Sequence, residues 1–218
     1  MPLVKICGLR HPDQAAAVAS LGADAIGVIG VSASPRWVPA ERRAALFAAA
    51  AGGKPDCFGV LVVADPADAD LKTLDSRGGH QVLQLHGQES AQRCAQLRQQ
   101  LDVKLWKALR ISKPGDLALA AAYEGVVDAL LLDCWDPQQL GGTGRSIPLG
   151  WLHGFSPALP WWLAGGLHAG NLTSVLDAVS PTGLDLSSGV EDAPGEKNLV
   201  KVAELFALLR EHVAPVGP

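Results

Sequence analysis

The sequence lacks the marks of several common protein classes. Its four cysteines, Cys7, Cys57, Cys94 and Cys134, form no CxxC pair and no dense framework. A disulfide scaffold is therefore not expected, and reduced thiols fit a cytoplasmic protein best. No basic segment followed by an apolar one precedes the strand-like start Met1-Pro2-Leu3-Val4-Lys5, so no signal peptide is expected. Apolar runs such as Ala44–Ala51 are too short to span a bilayer. His11, His80, His86, His153, His168 and His212 fall in separate segments with no HxH or HExxH spacing, so a metal site is not expected; as a separate expectation, no cofactor is assigned. Net charge is −4 and the lysines and arginines are scattered, which argues against a nucleic-acid or membrane-surface partner while leaving room for a local basic pocket. No Pro/Ser linker or charge run divides the 218 residues, and they read as one domain.

What is present is a hydrophobic fraction of 48 %, too high for a disordered chain, organised as short β-rich runs alternating with helix-like segments. Strands are expected at Val4–Cys7, Asp24–Ile29, Cys57–Val63, Val82–His86, Val103–Leu109, Val127–Asp133, Trp161–Ala164 and Gly183–Ser187. Helices are expected at His11–Leu21, Pro39–Ala50, Ala67–Arg77, Glu89–Gln100, Lys113–Tyr123, Gly170–Val179 and Leu199–Val213. Proline near the start and glycine past the end punctuate the first two, Pro12 with Gly22 and Pro39 with Gly52-Gly53. The stretch Cys134–Pro160 reads as a long loop with at most a short helix at Leu149–Gly154. Nearly continuous apolar strands imply burial on both faces, as in a parallel sheet. Eight such units without a leftover segment predict a closed (β/α)8 TIM barrel of the α/β class, with a doubly wound open sheet as the alternative.

In such a barrel, chemistry gathers at the C-terminal ends of the strands. Those ends carry Cys7-Gly8, Ser34-Pro35-Arg36, Gln84-Leu85-His86-Gly87, Asp133, Gly165-Gly166 and Ser187-Ser188-Gly189. The last two suggest a phosphate site, because glycines let backbone N–H groups approach an anion and serine hydroxyls add donors. The plainer alternative is that Gly165, Gly166 and Gly189 only permit tight turns. Cys7 is either a thiol at the mouth of the barrel or a buried core cysteine. Asp133, behind Ala129-Leu130-Leu131-Leu132, is either a general acid, a cap for the next turn, or a partner for Arg145. Arg36 suits carboxylate recognition or a solvated surface. His86 is a ligand contact or a satisfied core histidine. Gly141, Gly142 and Gly144 read as a loop that closes over a ligand, or as a static turn.

Together with Lys5-Ile6-Cys7-Gly8-Leu9, Leu131-Leu132-Asp133, Gly141-Gly142-Thr143-Gly144, Leu163-Ala164-Gly165-Gly166-Leu167, Asp185-Leu186-Ser187-Ser188-Gly189-Val190-Glu191 and Pro194-Gly195, these motifs occur in an order that resembles the phosphoribosylanthranilate isomerases of tryptophan biosynthesis. The resemblance implies an Amadori rearrangement of a small phosphorylated sugar, driven by proton transfers alone. It implies Cys7 as general base, Asp133 as general acid, Arg36 at the anthranilate carboxylate, His86 in the pocket, and Gly165, Gly166, Ser187, Ser188 and Gly189 at the phosphate. Where many relatives carry aromatic residues after the second strand, this chain has Val28-Ile29-Gly30-Val31-Ser32-Ala33, so a different pocket wall is expected.

Strand alternation adds one contact. Lys5 points inward with Cys7, and Asp185 inward with Ser187, so Lys5 and Asp185 should pair one layer below the site. A different phosphosugar barrel, such as a synthase, epimerase or aldolase, is the competing enzyme reading. The candidate lysine for an aldolase's Schiff base is Lys107. A barrel that only binds its ligand is the third reading.

Overall fold

The computed structural model describes residues 1–136 and 144–213. Eight parallel strands close into a barrel in sequence order: β1 Leu3–Cys7, β2 Ala25–Ile29, β3 Phe58–Val63, β4 Val82–Leu85, β5 Lys104–Ile111, β6 Ala129–Cys134, β7 Trp161–Leu163 and β8 Gly183–Leu186, with β8 paired back to β1. The open-sheet alternative is thereby excluded. The α-helices are α1 Pro12–Leu21, α2 Ala40–Gly53, α3 Ala91–Gln100, α4 Ala169–Ala178 and α5 Leu199–Val213. A two-stranded ribbon, β9 Glu191–Ala193 with β10 Glu196–Lys197, follows the eighth strand and was not expected from the sequence.

Two apolar layers explain the strands' composition. One side chain set, including Ile6, Ile26, Leu61, Leu83, Leu105, Leu130 and Leu184, faces outward against the helices. The alternate set, including Cys7, Val60, Val82, Trp106, Leu131 and Trp162, fills the interior. Each strand is thus buried on both faces. The floor of the barrel is aromatic: Trp106 and Trp162 lie 4.7 Å apart between ring centroids, and Phe58 meets both edge-on. On α5 the buried residues Val202, Leu205, Phe206 and Leu209 recur at helical spacing.

Several expected helices differ. Ala67–Arg77 is not one α-helix but two 3-10 turns, Asp68–Thr73 and Ser76–Gly78. Here Asp70 accepts from the Ala67 N–H and Asp75 from the Arg77 N–H, and such local side-chain bonds compete with α-helical ones. Pro114–Tyr123 is also 3-10, with Asp116 accepting from the backbone N–H groups of Ser112 and Lys113. Among the described residues, the segment after β6 holds one 3-10 turn, Leu149–Leu152. Helix α2 does not stop before Gly52-Gly53 but runs through them. A Cβ on Gly53 would sit 2.3 Å from the Ala16 carbonyl oxygen, so this glycine serves the close packing of α1 on α2 rather than a stop. Gly141 and Gly142 lie outside the described residues. Gly144 has φ +76°.

Candidate active site

The barrel's mouth holds a cavity of about 310 Å³. All nine residues singled out from the sequence line it: Cys7, Arg36, His86, Asp133, Gly165, Gly166, Ser187, Ser188 and Gly189. The closing order β6-β7-β8-β1 puts Asp133 and Cys7 on strands either side of those carrying the glycine and serine loops. Ile29, Val31 and Ala33 also line the wall, which is aliphatic on that side. Among the described residues no three His, Cys, Asp or Glu side chains cluster as metal ligands.

Cys7 ends β1 with its side chain inward and buried. The facing position on β2 is Gly27, and a Cβ there would lie 2.5 Å from Cys7 Sγ; β2 gives up a side chain to house the thiol. Burial pushes the Cys7 thiol up. Lys5 and Lys197 pull it down, Asp185 adds to the rise, and the net direction is upward. The resting group is a thiol.

Lys5 is fully buried beneath it. The β1–β8 register sets Lys5 opposite Asp185, and Lys5 Nζ lies 2.9 Å from Asp185 Oδ2, as strand alternation predicts. Burial works against the ammonium, but the Asp185 carboxylate beside it outweighs burial and raises Lys5. Lys5 also donates across the barrel to Gln84 Oε1 on β4, at 3.0 Å, and Gln84 Nε2 stands 2.9 Å from His86 Nδ1. Asp185 Oδ1 and His86 Nε2 are buried and without a hydrogen-bond partner among the described residues. His86 is thus satisfied on one side of its ring and open on the other. Its Nε2 lies 3.4 Å from Asp133 Oδ2, without hydrogen-bond alignment.

Asp133 is buried, and its Oδ1 accepts from the Cys134 N–H at 2.9 Å. One oxygen therefore caps the chain, and the other faces His86. Arg145 lies with Nε 3.4 Å from Asp136. Arg36 is not a solvated arginine; it is 7 % exposed, and Nε and Nη2 form a fork with Glu191, at 3.0 and 2.7 Å. Glu191 also takes Lys197 Nζ at 2.6 Å and the Gly195 N–H at 3.1 Å. Burial would raise the Glu191 carboxyl, but Arg36 and Lys197 hold it below its usual range. The bidentate carboxylate contact expected of Arg36 is thus made within the chain. It aims the guanidinium at the cavity and leaves Nη1 outside the fork.

Gly165 and Gly166 have φ +90° and +63°, and a Cβ on either would strike the segment at Gly144–Ser146. The turn role is therefore real, and it brings this backbone to the cavity wall. Helix α4 begins just beyond, its first turn capped by His168 accepting from the Gly170 N–H.

Lys107 does not reach the cavity. It points out of the barrel, where Nζ contacts Glu89 Oε2 at 2.7 Å and the Gly87 carbonyl at 2.8 Å, which removes the Schiff-base lysine. Gln84, Glu191 and Lys197 were given no role from the sequence. Glu191 was findable in principle, since a buried arginine demands a carboxylate. Gln84 carries no such signal.

The family model described as N-(5'phosphoribosyl)anthranilate (PRA) isomerase matches residues 4–207. The N-(5'-phosphoribosyl)anthranilate isomerase of Synechocystis sp. is 46 % identical over 209 residues, 94 % of each chain. The crystal structure of phosphoribosyl anthranilate isomerase from Thermus thermophilus is 32 % identical, covers 96 % of this chain and 98 % of its own, and superposes with a TM-score of 0.82. Another solved phosphoribosyl anthranilate isomerase, in complex with reduced 1-(o-carboxyphenylamino)-1-deoxyribulose 5-phosphate, is 25 % identical with a TM-score of 0.81, over 97 % of this chain and 100 % of its own. With near-complete coverage in sequence and in shape, the chain belongs to the N-(5'-phosphoribosyl)anthranilate isomerase family.

Proposed function

We propose that this chain, as a single barrel domain, isomerises N-(5-phosphoribosyl)anthranilate to 1-(2-carboxyphenylamino)-1-deoxyribulose 5-phosphate in tryptophan biosynthesis. The observation that carries the reading is one cavity with a thiol and a carboxyl on either side of two glycine- and serine-bearing loops. The family supplies the reaction, and the relative solved with a reduced product analogue supports the ligand class.

The chemistry needs an acid and a base held apart. Asp133 protonates the furanose ring oxygen as the C1–O bond breaks, and the anthranilate nitrogen supplies the electron pair that makes the iminium. The iminium acidifies the C2 proton, which the Cys7 thiolate removes to give an enolamine. Moving the O2 proton to C1 gives the ketone, and proton return through solvent resets Cys7 and Asp133. Loops at Gly165-Gly166 and Ser187–Gly189 hold the phosphate, and Arg36 Nη1 takes the anthranilate carboxylate. Fixing both ends of the substrate keeps C1 and C2 between the two groups. No cofactor takes part. The four free cysteines support a cytoplasmic enzyme.

The test is loss of the substrate's anthranilate fluorescence on mixing with the protein. Cys7→Ala and Asp133→Asn should each lower kcat by about 10³-fold or more while product still binds. A Cys7→Ala protein with near wild-type kcat would remove the thiol from the base's role.

A further inference from the structure

A chain of donors and acceptors runs beneath the cavity from β8 through β1 to β4. Its chemistry leaves little choice. Lys5 has donors only, so the atom of Gln84 at 3.0 Å from Lys5 Nζ must be the carbonyl oxygen. The amide nitrogen then faces His86, at 2.9 Å from Nδ1. That nitrogen can only donate, so Nδ1 must be the bare, accepting nitrogen. The imidazole proton is left on Nε2, which is buried, has no hydrogen-bond partner among the described residues, and lies 3.4 Å from Asp133 Oδ2. An imidazolium would set an N–H against an N–H at Gln84 and is excluded by the same contact.

We propose that Gln84 is a positioning residue that, clamped by Lys5, holds His86 as the Nε2–H tautomer facing Asp133. The proposal rests on Asp133 as the acid of the reaction. When Asp133 gives its proton to the ring oxygen, it becomes an almost wholly buried carboxylate. A donor fixed beside it attracts that charge more than the neutral acid, so its contribution grows as the proton leaves. Asp185 completes the chain by holding Lys5 in place, at 2.9 Å. Gln84 lines the lower wall of the cavity and acts on the acid through His86.

The test reads the tautomer directly. In the unliganded wild-type protein with 15N-labelled histidine, His86 should show a protonated Nε2 and a bare Nδ1. Gln84→Glu reverses the demand, because a carboxylate next to Nδ1 accepts and needs a proton there. Its spectrum should show Nδ1 protonated, and kcat should fall about tenfold with KM changed less than about twofold. A wild-type Nδ1–H tautomer overturns the proposal, and it does so even if Gln84→Glu does not fold. An unchanged 15N pattern in Gln84→Glu overturns it too, as does an altered pattern with wild-type kcat. Failure of the catalytic reading is seen separately, as turnover retained by Asp133→Asn, since the tautomer is measured without substrate.

Discussion

Two lysines in this barrel are alike in burial and in pairing with a carboxylate, and opposite in use. Lys5 and Lys107 each sit on a strand, each is almost wholly buried, and each pairs with a carboxylate, at 2.9 and 2.7 Å. Lys107 faces outward, and its group is closed: Nζ contacts Glu89, the Gly87 carbonyl and the Leu85 carbonyl, while Glu89 Oε1 takes the N–H groups of Asp65 and Gly87. Lys5 faces inward, and its group is open: among the described residues Asp185 Oδ1 has no hydrogen-bond partner, and at the far end of the chain neither does His86 Nε2. A buried charge whose bonds are all used inside the chain holds the fold. One whose neighbours keep an unused donor and acceptor beside a cavity is arranged around what enters it.

The comparison breaks first at Lys107. Lys107→Met leaves Glu89 charged and unpaired in the interior, and should cost about 3–5 kcal/mol of unfolding free energy in a denaturant titration. The folded protein should keep kcat within about twofold. A larger loss of turnover would show that the outer pair also serves the site.

The inner pair should fail the other way. In Lys5→Met with Asp185→Asn both charges are gone, so no uncompensated ion remains. Gln84 loses its clamp, Cys7 loses a neighbouring cation, and the unpartnered Asp185 oxygen loses its charge. We expect kcat/KM to fall about 10²-fold, roughly 2.7 kcal/mol, with a smaller stability loss than Lys107→Met. Wild-type kcat/KM in this double variant would make the inner pair as structural as the outer one.

Strand order, the inward placement of Cys7 and the Lys5–Asp185 pair were legible, because a two-residue period and a closed parallel order leave one geometry for them. The segment at Ala67–Arg77 was not. Its composition is helical, and the aspartates that divert its backbone N–H groups declare themselves only once the turns exist. Gly53 looked like a stop because the approach of α1, which needs it, is a tertiary fact. At the site, each residue at a strand end could be named, but Gln84 is clamped by Lys5 and Glu191 holds Arg36 across 79 and 155 residues, which no local pattern reports.

Lys197 sharpens the comparison at the thiol. It is buried, pairs with Glu191, and with Lys5 draws the Cys7 thiol down against the upward push of burial. Because the net direction is up, thiolate is the minor form at neutral pH, and kcat/KM should climb with pH on the alkaline side. Lys197→Met removes a cation and lifts the thiol further. At neutral pH kcat/KM should fall about fivefold and recover toward wild type at higher pH. An equal loss at every pH would mean that Lys197 acts only by holding Glu191.

His80 tests whether an unpartnered atom suffices to mark a site. Its Nδ1 is buried without a hydrogen-bond partner among the described residues, as in the inner group, yet the ring lies outside the barrel against Phe47 and Gly78, with Nε2 on the Leu74 carbonyl at 3.0 Å. Burial lowers its pKa, and Arg43 lowers it further, against the opposing pull of the Leu74 carbonyl, Asp75 and Asp102. A histidine held below its unfolded value of about 6.5 binds its proton more weakly when folded. Its contribution is therefore complete above that pH and is lost as pH falls toward the folded value, with a slope no steeper than about 1.4 kcal/mol per pH unit for one proton. His80→Gln keeps a donor for Leu74 but does not titrate, so its unfolding free energy should fall less steeply than wild type below about pH 6.5, with kcat unchanged. If the variant instead lost turnover, the unpartnered nitrogen alone would be the mark of function, and the cavity beside Asp185 and His86 would not be what separates the two lysines.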